Sequence, residues 1–477
     1  MQPSTLSDLV NLLEIRLNQI RAMIQTPTTG TDEEIDASVC FTRLLFSSRN
    51  ALAPVSSLPS EHLARIFRFC ALVEPPWSGG QKLGWIGVTH VCQRWRQVAL
   101  DDPSLWARIV GVSPSAEWIF EALVRARDAP LLFDIVGTPS PEVLSKIPPH
   151  ISHTRKLRLP CLSIQDSQFV QEICALEAPV LEYFELGVSD TSPIAFHQLA
   201  AGMTLFKGHT PKLRSFTTSH ITIPWSLIPR GQLTQLRIIF SRGISTPSIP
   251  SLDDSNELFD LLINSPNLEI LSLEFCFPSM LSQVSHGEPV HLPRLSRLSL
   301  GGTTSRVTNL LKRMKLPSSA TLHLCCSSGD PSTYPNDLLL PLISAHFHNP
   351  TPVEFKSFSV TINCCEYLVG VAASTSPAKS TIYHSWVLED HRDSEPELTL
   401  SFYQLLRFGP QDILGQLCSM LAISNLKSLS ISSFCDELRV SSWYELFQHC
   451  KKATTIQANG MGQAISYGPL PLRNLRM

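Results

Sequence analysis

The apolar residues nearest the N-terminus recur at alternating intervals of four and three, the heptad spacing of packed helices. The residues of this seam are Leu6, Val10, Leu13, Leu17, Ile20 and Ile24. The seam is short and its flanks carry few charges, so the pattern favours a helix that packs on its own protein over a dimerising coiled coil. Residues 25–32 read as a linker, and a second helix is predicted at 33–52. We therefore assign residues 1–53 to an N-terminal helical segment.

Residues 54–110 show the pattern of a small domain built from short amphipathic helices. The first helix is predicted to begin at Pro59, with Glu61 near the positive end of its dipole. Its apolar positions have helical spacing and are Leu63, Ile66, Phe67 and Cys70. After a loop rich in Pro, Gly and Trp, a second helix is predicted with the apolar positions Val88, Val91, Trp95, Val98 and Ala99. Asp102 and Pro103 predict a third short turn, which carries Leu105 and Trp106.

The order of these motifs resembles the F-box. The matching residues are Leu58-Pro59-x-Glu61-x-Leu63-x-x-Ile66-Phe67 and, after a spacer, Val91-Cys92-x-x-Trp95-Arg96-x-Val98-Ala99-x-x-x-Pro103-x-Leu105-Trp106. The arrangement is similar to the large F-box families of mushroom-forming fungi, although the inserted loop departs from the commonest F-box length. A generic three-helix bundle without a partner is the alternative, and the ordered set of motifs argues against it. The resemblance implies that a Skp-family adaptor binds this domain through Leu58, Pro59, Leu63, Ile66, Phe67, Val91, Trp95, Leu105 and Trp106.

From residue 150 to 477, a motif of the form apolar-x-x-apolar-x-apolar recurs along the chain. Its clearest copies begin at Leu181, Leu233, Leu268, Leu295, Phe355 and Leu426. The last two apolar positions of each copy are two residues apart, which places them on one face of a strand. This region resembles an irregular leucine-rich-repeat solenoid, with residues 111–149 as a connecting segment and first repeat elements. The predicted fold class is thus α/β, with N-terminal helices and a small helical F-box followed by a leucine-rich-repeat-like array. An unrelated α/β domain with several leucine-rich strands is the alternative.

The residues between the apolar positions of these strands are predicted to point outward together. They are small or polar and of mixed charge, without a basic stripe that carries aromatic residues, so a protein target is favoured over nucleic acid. The substrate-binding candidates are Glu185, Arg237, Ser272, Ser299, His323 and Ser430.

Composition adds constraints on partners and compartment. The 477 residues carry 38 Lys and Arg against 41 Asp and Glu, a formal net charge of −3, which argues against a dominant polyanion-binding role. The 36 prolines outnumber the 22 glycines and indicate many short elements. No apolar run reaches the ~18 residues that span a bilayer, so no membrane association is predicted. The 13 cysteines form no CxxC motif, and neither a signal peptide nor a glycosylation acceptor is evident. These features predict reduced thiols in a cytoplasmic or nuclear protein.

The sequence contains no recognisable catalytic motif. Gly460-Met461-Gly462 lacks the third glycine of a dinucleotide loop, and Ser78–Lys82 lacks the spacing of a phosphate-binding loop. His346 and His348 would share one side of a strand, but no third metal ligand stands near them in the sequence. Asp253-Asp254 is interpreted as the cap of a helix that follows. No metal, cofactor or enzymatic activity is predicted.

The F-box resemblance implies a substrate-recognition subunit of an SCF-type ubiquitin ligase, joined through the adaptor to a cullin scaffold. A scaffold that uses the same domains outside any cullin complex is the first alternative. An enzyme with an undetected site in the repeat region is the second.

Overall fold

The computed structural model divides the chain into two compact units. Unit 1 comprises residues 1–111 and 121–129, and unit 2 comprises residues 112–120 and 130–477. The structure describes residues 11, 14–19, 21–22, 31–76, 83–112, 114–188, 194–195, 205–241, 255–277, 288–327, 335–348, 352–363, 368–376, 396–403, 416–421, 423–433, 448 and 450–460.

Unit 1 is built from helices. Its elements are α1 (Thr31–Ala51), α2 (Ser60–Val73), α3 (Gln93–Leu100), α4 (Pro103–Trp106) and the short strand β1 (Arg108–Gly111), with 3-10 turns at Pro54–Ser57 and Gly84–His90. Residues 14–19 are also helical. The predicted second helix is divided in two, because Cys92 has an extended backbone and its Sγ accepts the amide of Trp95 at the start of α3.

Aromatic side chains fill the core of unit 1. Phe67 and Trp95 pack with ring centroids 5.2 Å apart, and Trp85 meets Trp106 edge to face at 5.1 Å. The buried indole of Trp106 donates to the carbonyl of Ala99 at 2.8 Å, so its polar group is satisfied inside the core. The clustered tryptophans of the sequence therefore hold the short helices together.

Unit 2 is dominated by strands. They are β2 (Leu131–Ile135), β3 (Thr154–Leu162), β4 (Tyr183–Val188), β5 (Ile194–Ala195), β6 (Ser215–Ser219), β7 (Ile221–Thr222), β8 (Gln235–Ile239), β9 (Ile270–Glu274), β10 (Val290–His291), β11 (Arg297–Thr303), β12 (Met314–Lys315), β13 (Thr321–Ser327), β14 (Ser357–Asn363), β15 (Leu368–Ser374), β16 (Leu398–Tyr403), β17 (Ser428–Ser433) and β18 (Thr455–Gly460). The helices are α6 (Pro141–Leu144), α7 (Ser167–Cys174), α8 (Ser255–Ile263), α9 (Thr304–Arg313) and α10 (Pro335–His348), while α5 (Ala116–Ala126) has residues in both units.

The strands of unit 2 form one large, mostly parallel sheet. Its order is β2-β3-β4-β6-β8-β9-β11-β13-β16-β15-β14-β17-β18, and two small sheets pair β5 with β7 and β10 with β12. The strands follow chain order as far as β13, as the repeat pattern predicts. Chain order is then reversed, and β15 runs antiparallel to both β14 and β16. A leucine-rich-repeat solenoid would place its strands side by side in chain order, and this expectation is wrong between residues 357 and 403. Only four residues separate β14 from β15, and so short a connection suits an antiparallel pair and not a parallel crossover.

One face of the sheet carries a continuous apolar row in register. Its residues are Leu157, Phe184, Phe216, Leu236, Leu271, Leu298, Leu322, Leu398, Ala373, Phe358 and Leu429. All of these side chains are buried. The leucine-rich motif of the sequence thus supplies the core of unit 2.

Two predictions about the elements between strands are corrected or extended. His346-Phe347-His348 lies on α10 and not on a strand, because Leu339, Leu340, Ile343 and Phe347 have helical spacing and are buried. The helix that was predicted to follow Asp253-Asp254 is present as α8. The predicted cap at Asp253-Asp254 and the Met461-Gly462 part of the glycine motif lie outside the described residues.

Candidate functional site

Helix α2 has two apolar sides, of which one is buried. Leu63, Phe67 and Ala71 face the core of unit 1. Ile66, Phe69 and Val73 follow the i, i+3, i+7 spacing of a second side, and their exposed fractions are 43%, 57% and 78%. We call these three residues the α2 stripe. An apolar stripe that remains exposed beside a filled core marks a binding surface more often than a packing defect.

Arg94 fixes the backbone of the segment that leads into α2. Its guanidinium donates one hydrogen bond to the carbonyl of Ser56 and another to the carbonyl of Leu58. Leu58 is half-buried and Pro59 is exposed. Because Arg94 holds the carbonyls of Ser56 and Leu58, the Leu58-Pro59 edge is ordered without a partner, which lowers the entropic cost of binding one.

An ion pair ties α2 to α4. The guanidinium of Arg68 donates to both carboxylate oxygens of Asp102, at 2.8 and 3.2 Å. The hydrogen bond to Asp102 raises the pKa of Arg68, so its guanidinium stays charged. Asp102 also accepts from the amide and hydroxyl of Ser104 and so caps α4. The orientation of α2, and with it the α2 stripe, is fixed by this buried carboxylate.

The nine adaptor-binding candidates divide into two groups. Pro59, Ile66 and Val91 are exposed, while Leu58 and Trp95 are half-buried. Leu63, Phe67, Leu105 and Trp106 are buried in the core of unit 1. Their side chains present no surface to a partner in this structure, because the short helices need them for packing.

Phe69 and Val73 belong to the exposed surface but were absent from the sequence-based candidates. Their signal was available, since both continue the spacing of Ile66 along one helix. This spacing was overlooked because α2 is apolar on two sides, and the buried side alone is enough to explain the helical spacing of its apolar residues.

A second candidate surface lies on unit 2, on the face of the sheet opposite the apolar core row. Residues paired in register form one continuous line across the strands, which we call the polar row. Its members are Asp134, Arg158, Glu185, Thr217, Arg237, Ser272, Ser299, His323, Thr399, Ala372, Ser359, Ser430 and Gln457. All six substrate-binding candidates from the sequence belong to this row.

Ion pairs organise the β2–β4 end of the polar row. Asp134 accepts from Lys156 at 2.7 Å and from Arg158 at 3.0 Å, and Arg158 donates to Glu185 at 3.1 Å. Burial disfavours the charged form of Arg158, but Glu185 and Asp134 outweigh it and raise the pKa of the guanidinium. The charges in this network offset one another, so this end of the row has polar groups with little net charge.

The centre of the polar row is buried around a carboxylate. Glu274, on the next row of the same face, accepts from the hydroxyls of Ser299 at 2.9 Å and Ser272 at 3.1 Å. Burial raises the pKa of Glu274, although the two hydroxyls and the charge of Arg237 oppose that effect. Burial and the neighbouring Arg297 lower the pKa of His323 to about 4, so its imidazole is neutral at physiological pH.

Among the predicted substrate-binding residues, Glu185 and His323 are half-buried as residues, whereas Arg237, Ser272, Ser299 and Ser430 are buried. The register brings all six to one face, but their burial limits what a target can touch directly. Their role in substrate binding stays a prediction.

Metal-binding chemistry has little support in the part of the chain that the structure describes. No group of three or more His, Cys, Asp and Glu side chains that could hold a metal ion is found there. The ring of His346 lies 3.0 Å from the carbonyl of Ala320, and that of His348 lies 2.7 Å from the carbonyl of Ser344, so the two imidazoles make different contacts.

Among the described helices, none is long and apolar enough to cross a membrane.

The geometry defines an α/β protein with a small helical domain that exposes an apolar stripe. Comparison with protein families matches residues 55–111 to the F-box-like model. The protein therefore contains an F-box-like domain, which confirms the F-box resemblance of residues 54–110. No match to the chain is found among the curated proteins.

Proposed function

We propose that this protein is the substrate-recognition subunit of an SCF-type ubiquitin ligase. The observation that carries the proposal is the α2 stripe, an exposed apolar surface within a domain that matches the F-box-like model. F-box-like domains are typically protein-interaction modules that bind a Skp-family adaptor. The α2 stripe, the Leu58-Pro59 edge and the exposed Val91 are the contacts we assign to that adaptor.

Unit 2 has the properties expected of the target-binding part. Parallel strands that repeat a leucine motif fit an irregular leucine-rich-repeat-like array, in which each strand and its connection form one unit. The half-buried Asp134, Arg158 and Glu185, at the β2–β4 end of the polar row, then supply contacts to the target. Their offset charges favour a protein target over a polyanion such as nucleic acid.

The chain in this proposal makes no covalent bond itself. It holds a target lysine near the ubiquitin-carrying enzyme and so raises the effective concentration of the reacting groups. Such a role places the protein in the cytoplasm or nucleus, where its thiols stay reduced.

Replacement of the Leu58-Pro59 edge tests the adaptor contact. We expect Leu58→Ala combined with Pro59→Ala to weaken binding of a purified Skp-family adaptor at least tenfold, because apolar contact is lost at the interface. The thermal midpoint of the full chain should remain nearly unchanged, since neither side chain is fully buried. Equal affinity of the double variant and the parent would count against this edge as a contact.

Recruitment of a cullin separates a ligase subunit from a scaffold. The full chain, purified with its adaptor, should retain a cullin through repeated washing, and the double variant should lose adaptor and cullin together. A stable adaptor complex that never retains a cullin would support the scaffold instead.

A further inference from the structure

Helix α1 has an apolar side that nothing in the described chain covers. Ile35, Val39 and Phe46 are 53%, 42% and 53% exposed, and none of the described side chains of this 21-residue helix is buried. With 3.6 residues per turn these three side chains share one stripe, together with Thr42. We call these four residues the α1 stripe. The hydroxyl of Thr42 donates to the carbonyl of Ser38 at 2.8 Å, which leaves its methyl group for the stripe.

A helix of this length gains most of its stability from packing an apolar side against a partner. In the preceding helical residues 14–19, the side chains of Ile15 and Leu17 are 60% and 50% exposed. The α1 stripe therefore needs an occupant from outside these segments.

The order of residues along α1 selects a second copy of the chain as that occupant. The α1 stripe has the four-three-four spacing of a heptad seam. If two copies of α1 pack antiparallel, Ile35 of each lies opposite Phe46 of the other, and Val39 lies opposite Thr42. Every large apolar residue then meets an apolar or methyl-bearing group, and the two copies make identical contacts, as a two-fold interface requires.

Charges beside the α1 stripe fit the same arrangement. Asp36 and Arg43 are seven residues apart, so both are on one flank of the stripe, and both are exposed. In the antiparallel pair, Asp36 of each copy faces Arg43 of the other, which forms two ion pairs. A parallel pair would instead bring Arg43 toward Ser38 of the second copy and would form neither ion pair. Arg49, whose guanidinium lies 5.4 Å from the ring centroid of Phe46, covers the end of the stripe.

We propose that α1 pairs antiparallel with α1 of a second copy, and that the protein is a homodimer through this helix. Orientation is set by the Asp36–Arg43 pairs, and affinity is supplied by the α1 stripe. The dimer would carry two F-box-like domains and two sheets, so a target with two binding segments would gain avidity.

Charge reversal tests the pairing without removing any apolar contact. The full chain should sediment as a dimer at micromolar concentration. Asp36→Arg alone and Arg43→Asp alone should each weaken dimerisation about tenfold or more, because two attractive pairs become two repulsive ones. An equimolar mixture of the two variants should form a heterodimer of parental affinity, since every Asp then faces an Arg. Asp36→Arg with Arg43→Asp in one chain should restore the homodimer.

Controls separate this inference from loss of fold and from the proposed function. The near-ultraviolet dichroism of the buried tryptophans Trp85 and Trp106 reports whether unit 1 is intact. Leu58→Ala with Pro59→Ala should dimerise as the parent does. A parent chain that is monomeric at 100-micromolar concentration would overturn the proposal. So would single reversals that dimerise normally, or a mixture that gains nothing over its components.

Discussion

Units 1 and 2 differ in where they place apolar residues. In unit 1 the helix α2 is apolar on both sides, and one side remains exposed as the α2 stripe. In unit 2 the strands separate the two kinds of residue by face, with the apolar row inside and the polar row opposite. An exposed apolar stripe suits a constant partner bound through area, whereas a polar face gives specificity through the arrangement of hydrogen bonds and charges. In the proposed function, the adaptor and the target would therefore be bound through different kinds of contact, apolar area in unit 1 and polar groups in unit 2.

The largest expected effect comes from truncating one buried and one exposed side chain of α2 and comparing the two losses of stability. Phe67→Ala should lower the free energy of unfolding by about 3–5 kcal/mol, because it leaves a cavity against Trp95. The neighbouring Ile66→Ala should change that free energy by less than about 1 kcal/mol, since its side chain is already exposed. Urea unfolding followed by tryptophan fluorescence measures both. Similar losses for the two variants would mean that the two sides of α2 are not distinct.

The next effect concerns the carboxylate that orients α2. Asp102→Ala removes the cap of α4 and the partner of Arg68, and we expect a loss of about 1–2 kcal/mol in stability. Arg68→Ala should cost less, because its side chain is 56% exposed and solvent screens the pair. Thermal unfolding of both variants beside the parent gives the order. A larger loss for Arg68→Ala than for Asp102→Ala would contradict the expectation that Asp102 stabilises unit 1 more by capping α4 than by its ion pair.

Acid should weaken unit 2 through His323. Its pKa is about 4 in the folded protein, below the 6.5 of a free imidazole, so the unfolded chain binds the proton more readily. The stability that neutral His323 contributes is complete above pH 6.5 and is lost as the pH falls toward 4. The parent should therefore lose more stability across this range than His323→Gln does. Parallel pH profiles of the thermal midpoint for the two proteins would contradict this.

The smallest expected effect is a loss of stability as the pH rises, and it comes from Glu274. Burial raises its pKa above the ordinary 4.5, so the folded state favours the protonated acid. Stability from this group is complete below pH 4.5 and declines as the pH rises through the folded pKa. Glu274→Gln keeps an acceptor for the hydroxyls of Ser272 and Ser299 but has no charge to bury. The thermal midpoint of Glu274→Gln relative to the parent should rise between pH 4.5 and 8, and a flat difference would argue against a buried, ionising carboxylate.

The sequence predicted the strands of unit 2 well, because a strand with apolar residues on one face and polar residues on the other leaves a period of two. Leu271 and Leu273, for example, share the apolar face, while Ser272 lies on the polar face, where it is also buried. The same reasoning missed β15, since its residues 368–373 are small or apolar on both faces and carry no alternation. Strand order could not be predicted at this point, because the reversal depends on the short connection at 364–367 and not on the apolar pattern.

The candidate site was predicted in part for a related reason. Motif order located the F-box-like domain, and the register of the sheet brought the six predicted substrate residues into one row. Spacing alone could not separate Ile66 from Phe67, since adjacent residues of an amphipathic helix differ only in which neighbours cover them. Burial of Leu63, Leu105 and Trp106 is a tertiary property of the packed helices. For that reason the exposed Phe69 was overlooked while these core residues were included.

The central claim is that the α2 stripe binds a Skp-family adaptor, and it is tested most directly by the affinity of the full chain for that adaptor. Ile66→Asp combined with Phe69→Asp places two charges in the stripe, and Ile164→Asp is a matched control at an exposed isoleucine of unit 2. We predict that the double variant loses at least a hundredfold in affinity, from about 2 kcal/mol or more for each central apolar contact, while the control binds as the parent does. Unchanged binding by the double variant, or no binding by the parent chain, would contradict the account.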